Sequence, residues 1–180
     1  MSLDRLAEAA DQFEIMAVMT QYCHSLDRRD YALLRQCFHD DSVHQHGAFT
    51  GPSSEFIGFA IELLNEIGAT HHHLSLPHMR LEGDVAHVES YFVAYHRVPA
   101  ETSLSGAFAG IGAPQDLYIG GRYIDRFEKR GGRWKIASRI GVHDWQRLSP
   151  AADAGFDDLP AEQRGAYGPA DPAWGVPRRI

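Results

Sequence analysis

The hydrophobic period of this chain switches once, near residue 70, and that switch narrows the folds open to it. Before the switch, apolar residues recur at helical spacing. Residues 3–28 carry Ile15, Met19, Tyr22 and Leu26 on one stripe, widened by Phe13, Met16 and Cys23. Asp30 is placed to cap a second, shorter helix bearing Leu33, Leu34, Cys37 and Phe38. "HDDS" breaks that pattern, and "VHQHGAF" reads as a short strand. "GPSSE" opens a third helix with Phe56, Phe59, Leu63, Leu64 and Ile67 on its apolar face and Gly68 as its stop. After the switch, "HHHLSLPHMRL" and "VAHVESYFVAYHRV" are strand-like and joined by the hairpin turn "EGD". "LYIGGRYIDRFEK" and "RWKIASRIGVHDW" form a second pair across "RGG", and Gly120–Gly121 predicts a bulge or sharp bend.

Helices first, then a run of antiparallel strands, predicts an α+β domain. A strongly bent sheet wrapped around three N-terminal helices makes a cone with one open end. Its interior is an apolar pocket of the kind that takes a small molecule. "ETSLSGAFAGIGAP" reads as a loop beside that pocket. Residues 1–147 are expected to form the domain. Residues 148–180, rich in Pro and Gly, are expected to be a wrapping arm or a partly disordered tail.

Charge limits the partners. The net charge is −7, which argues against nucleic acid or anionic lipid, since both need clustered Lys and Arg. No apolar run reaches the length of a membrane span. "MSLDRLAEAADQFE" lacks the basic start and apolar centre of a signal peptide. Cys23 and Cys37 sit at helix-like apolar positions and are expected to be buried thiols in a reducing compartment, which makes the expected location cytoplasmic. Apolar residues beyond what one cone can bury point to a homo-oligomer, a dimer or a trimer.

The histidines carry two possible chemistries. His44 and His46, two apart on a strand, face one side, and His71–His73 offer further imidazoles. "HQHGAFTGPSSE" loosely resembles the His-x-His…Glu motif of cupin barrels, but those are nearly all-β. No helical His pair or Cys pair completes a ligand set, so no metal is expected. The second chemistry is proton transfer, for which an imidazole needs a carboxylate to orient it. Asp27, in "YCHSLDRRD" at the end of the first helix, is the carboxylate that the sequence places best. Alone, it reads more readily as a cap or a helix-end ion pair than as a catalytic group.

"QYCHSLDRRDYALLRQCFHDD", "HHHLSLPHMRLEGDVAHVESYF" and "GGRYIDRFEKRGGRWKIASRIG" together resemble the SnoaL-like branch of the nuclear-transport-factor-2-like superfamily, over about residues 5–147. Members of that superfamily include lindane dehydrochlorinase, scytalone dehydratase, bile-acid 7α-dehydratase, polyketide cyclases and ketosteroid isomerase. The resemblance implies a cone-shaped α+β barrel, cystatin-like in outline, with a His–Asp dyad and no cofactor. Counting back from Gly83, the dyad histidine maps to His72, with His71 and His73 on the opposite face of a regular strand. Its carboxylate maps to Asp27, and the tyrosine five residues before it to Tyr22. The polar Asn usual four residues after the histidine is Leu76 here. Arg139 on the last strand, and Tyr95 rather than His96 on the second, are the implied substrate-binding groups. The implied activity is that of a lyase or isomerase acting on a small cyclic, largely apolar substrate. His72 would take a carbon-bound proton, and Tyr22 would stabilise the developing charge. The same superfamily also implies two alternatives: a polyketide cyclase, or a non-catalytic protein, either a small-molecule-binding module or the structural β subunit of a ring-hydroxylating dioxygenase.

Overall fold

The computed structural model describes residues 2–174. Its elements run α1 (Leu3–Asp27), α2 (Tyr31–Gln36), β1 (Phe38–His46), β2 (Phe49–Pro52), α3 (Ser53–Glu66), β3 (Thr70–Leu74), β4 (His78–Glu82), β5 (Val85–Val98), β6 (Gln115–Arg130) and β7 (Arg133–Pro150). The Ser2 hydroxyl accepts from the Arg5 N–H at the start of α1, and the Asp30 carboxylate accepts from the Leu33 N–H at the start of α2. α2 stops sooner than its apolar spacing predicts. Cys37 and Phe38 leave the helix, and the Ile136 N–H donates to the Cys37 carbonyl, so pairing with β7 wins over the local helical pattern.

The strands form one seven-stranded sheet in the order β2-β1-β7-β6-β5-β3, with β4 on the other half of β5 beside β3. All pairs are antiparallel except β1 with β7, which makes the sheet mixed. The sheet curls around the helices without closing. Two bulges in β7 sharpen the curl. Ala137 is the extra residue between the pairs Phe127–Ile136 and Arg126–Ser138, and Asp144 the extra one between Gly121–His143 and Gly120–Trp145. The second lies opposite the glycine pair that marked a bend in the sequence. Both glycines are needed there: a β-carbon on Gly120 would sit 2.1 Å from the Trp145 ring, and one on Gly121 2.0 Å from the Val142 carbonyl oxygen.

The core lies between the concave face and the helices. Ile15, Met19, Leu34, Phe127, Trp134 and Ile136 are buried in it, and both cysteines are free and buried. Among the described residues no helix is long and apolar enough to cross a membrane. After β7 the chain runs in short 3-10 turns back to the end of α1. Arg28 binds the Asp171 carboxylate at 3.0 Å and the Ala166 carbonyl at 3.1 Å, and the Arg29 guanidinium lies 3.6 Å from the centre of the Tyr167 ring. The last six residues of the expected arm lie outside the described residues.

Candidate active site

The concave face, α3 and the loop after β5 enclose a cavity of about 320 Å³. Phe56, Phe59 and Leu63 from α3, Leu104 and Phe108 from the loop, and Phe92 from the sheet make its lining mostly apolar. Into this wall the sheet sets four histidines: His72 from β3, His96 from β5, His46 from β1 and His143 from β7.

His72 is tied to Asp27 at two points. Its ring Nδ1 is 2.7 Å from Asp27 Oδ1, and its backbone N–H donates to Asp27 Oδ2 at 2.8 Å. Asp27 is the last residue of α1, and β3 packs across that helix end, so each element supplies one partner. Burial alone would raise the Asp27 carboxyl; the bonds from His72 outweigh it and hold the pKa below the ordinary 3.8. An ionised Asp27 accepts a hydrogen from Nδ1, which fixes the ring's tautomer and leaves Nε2 with a lone pair. Strand alternation settles the histidine triplet. His72 lines the cavity, while His71 and His73 lie on the outer face with ring centres 4.3 Å apart.

Tyr22 also lines the cavity. It is buried, with its ring centre 4.1 Å from the Arg139 guanidinium. Burial pushes its phenol well up, so the hydroxyl keeps its hydrogen.

Two expectations need correction. Arg139 does not line the cavity. It is 1 % exposed, binds both oxygens of Asp125 at 2.7 Å, and is sandwiched between the Tyr22 and Tyr123 rings. The bulge at Ala137 brings it onto the inner face, but behind the two tyrosines that line the cavity, with Nε and Nη2 bound to Asp125 and Nη1 buried with no hydrogen-bond partner among the described residues. Tyr95 is not at the cavity either: its hydroxyl donates to Asp116 at 2.8 Å on the outer face. On β5 the inward set is Ala86, Val88, Ser90, Phe92, Ala94, His96 and Val98. His96 therefore takes the inner position, edge-on to His72 with ring centres 5.5 Å apart. Burial, then the neighbouring His72, lowers its pKa to about 3.

His44 and His46 do share one face, with different fates. His44 is buried flat on Phe56, ring centres 3.6 Å apart, and burial lowers its pKa to about 2. His46 reaches the cavity, where its Nε2 lies 3.2 Å from His143 Nε2. His143 was not singled out from the sequence. Plain alternation from Trp134 and Ile136 would have put it outside; the extra residue at Ala137 shifts the parity and turns it in. Among the described residues, no group of three or more His, Cys, Asp or Glu could hold a metal ion.

The family model for the SnoaL-like domain matches residues 7–140. No curated protein matches the sequence. Among solved structures, the Kfla4162 protein of Kribbella flavida is 19 % identical with a TM-score of 0.66, the match covering 78 % of this chain and 95 % of that one. A candidate scytalone dehydratase from Novosphingobium aromaticivorans is 20 % identical, TM-score 0.64, covering 86 % and 95 %. Hexachlorocyclohexane dehydrochlorinase LinA-type3 from Novosphingobium barchaimii is 19 % identical, TM-score 0.63, covering 88 % and 98 %. At these identities the likeness is one of fold.

Proposed function

The chain belongs to the SnoaL-like family of the nuclear-transport-factor-2-like superfamily, and from that premise we propose that it is a cofactor-independent lyase or isomerase using a His72–Asp27 dyad. The observation that carries the reading is the two-point tie of a buried Asp27 to the one imidazole of the triplet that lines an apolar cavity. Asp27 holds His72 with its hydrogen on Nδ1, so Nε2 is free to remove a proton from carbon. The imidazolium that forms is stabilised by the carboxylate beside it. The Tyr22 hydroxyl is a hydrogen-bond donor within the same cavity and serves the charge that develops on the substrate. An apolar wall strengthens each of these interactions by keeping water out. The substrate class that fits is a small cyclic, largely apolar molecule. The names of two fold relatives, a candidate scytalone dehydratase and a dehydrochlorinase, support an elimination or isomerisation. A non-catalytic binding module would have no use for a carboxylate buried at two-point contact with a cavity histidine.

The test reads proton abstraction itself. Wild-type protein is incubated in heavy water with a panel of small cyclic ketones, hydroxyketones and halides, and deuterium uptake and product formation are followed by NMR. Uptake or turnover that disappears in His72→Ala, with the far-UV spectrum unchanged, is expected. Full activity in that variant would discard the dyad.

A further inference from the structure

The His46–His143 pair has no part in the scheme above, yet both rings line the same cavity. It belongs to β1 and β7, whereas His72 and His96 belong to β3 and β5. β6 separates the two halves, so the pairs sit on different sides of the concave face.

The hydrogens of this pair can be assigned. His46 is held neutral: burial, then the neighbouring His143, lowers its pKa to about 3. A neutral imidazole has one N–H and one lone pair. Among the described residues the His46 Nδ1 is buried without a hydrogen-bond partner, and it lies against Gly141, where a β-carbon would be 2.7 Å from it. A hydrogen there would be an orphaned buried donor, which folded proteins avoid. The hydrogen therefore sits on His46 Nε2 and is donated across the 3.2 Å gap to His143 Nε2. His143, the more exposed of the two, then carries its own hydrogen on Nδ1 and has it to offer.

We propose that His143, held in this tautomer by His46, donates its Nδ1–H to a carbonyl oxygen of the substrate, so that the cavity takes a small cyclic carbonyl compound rather than a halocarbon. This rests on the reading of His72 as the base. When His72 Nε2 takes the proton next to the carbonyl, the C–H electron pair becomes the C=C bond of an enolate, and the negative charge moves to the oxygen. His143 bonds that oxygen without giving up its proton, as a neutral imidazole acting as electrophile. The step needs no oxidant or reductant. A carbon–halogen bond would give the donor no comparable oxygen to serve.

The test uses two probes of one shape, 1-indanone and indane, titrated calorimetrically into the full chain. Wild type should bind 1-indanone about tenfold more tightly than indane, the worth of one hydrogen bond. His143→Phe should lose most of that preference, while His72→Ala keeps it within about twofold. A wild type without the preference, a preference kept in His143→Phe, or one that requires added zinc would each overturn the proposal. A measurement on unaltered protein guards against a misfolded variant. Nitrogen-15 NMR should find the Nδ1–H tautomer at His143 and the Nε2–H tautomer at His46, and the reverse assignment overturns it. Should His72→Ala keep full turnover, the dyad falls while the carbonyl preference of His143 stands as a binding result.

Discussion

Asp27 and Asp125 are both buried carboxylates, and each is gripped at two points by a basic residue that the sequence offered as functional. Asp125 takes both of its bonds from the Arg139 guanidinium, at 2.7 Å each. Asp27 takes one bond from the His72 ring and one from its backbone. The difference lies in what remains. Arg139 has only donors and no lone pair, and it is packed between two tyrosine rings away from the cavity. His72 keeps a second ring nitrogen at the cavity wall. The same ionic motif thus serves as a strut in one place and as a poised base in the other, and the unspent atom decides which.

The comparison breaks most sharply at Asp27→Asn. An amide at this position would donate to Nδ1 and move the ring's hydrogen to Nε2, which abolishes the base. Turnover should fall by about four orders of magnitude, the scale seen for a carboxylate-to-amide change behind a catalytic histidine. Steady-state rates and circular dichroism on the same preparation check that outcome. Arg139→Ala should instead act on stability. It strands Asp125 in the core, and urea unfolding should show a loss of about 3–5 kcal/mol. The paired change Arg139→Met with Asp125→Leu should recover most of that loss, because a dry apolar pair leaves no buried charge alone. A recovery in which activity also returns would mark Arg139 as a strut and nothing more.

A third measurement sharpens the sign. The Asp27 pKa is depressed in the fold, so its stabilising contribution is fully present above the unfolded value of 3.8 and is lost as pH falls through the lower folded value. Asp27→Asn should therefore flatten the acid limb of the stability curve below pH 3.8. The smallest effect belongs to the chain's far end. Asp171→Asn removes the charge that holds Arg28 in a part-buried ion pair but keeps an acceptor oxygen there, at a cost of about 1 kcal/mol. Global stability should hardly move, while amide exchange should quicken over residues 166–174.

Much of the site could be read from the residues because helices and regular strands keep their period. The Ile15–Leu26 stripe placed Tyr22 on the inner face of α1, and the short, regular β3 left His72 facing in with His71 and His73 out. β5 was equally regular, and its apolar set at Val88, Phe92 and Ala94 already favoured His96 over Tyr95, a phase that the family likeness obscured. β7 was a different matter. A strand with Ala137 and Asp144 inserted has no constant parity, so neither the true setting of Arg139 nor the inward turn of His143 follows from alternation. β1 begins at Phe38, inside what reads as helix, because its partner lies about a hundred residues further along the chain, and local spacing carries no trace of that partner.

Those two inserted residues have a consequence for how such a chamber changes over generations. Each adds bend to β7 without altering which neighbours face each other on either side of it. Loss of a single codon at Ala137 or Asp144 would straighten the wall and widen the mouth, yet leave every inward-facing group on its original rung. Girth and chemistry are thereby separately heritable: one varies by indel, the other by substitution.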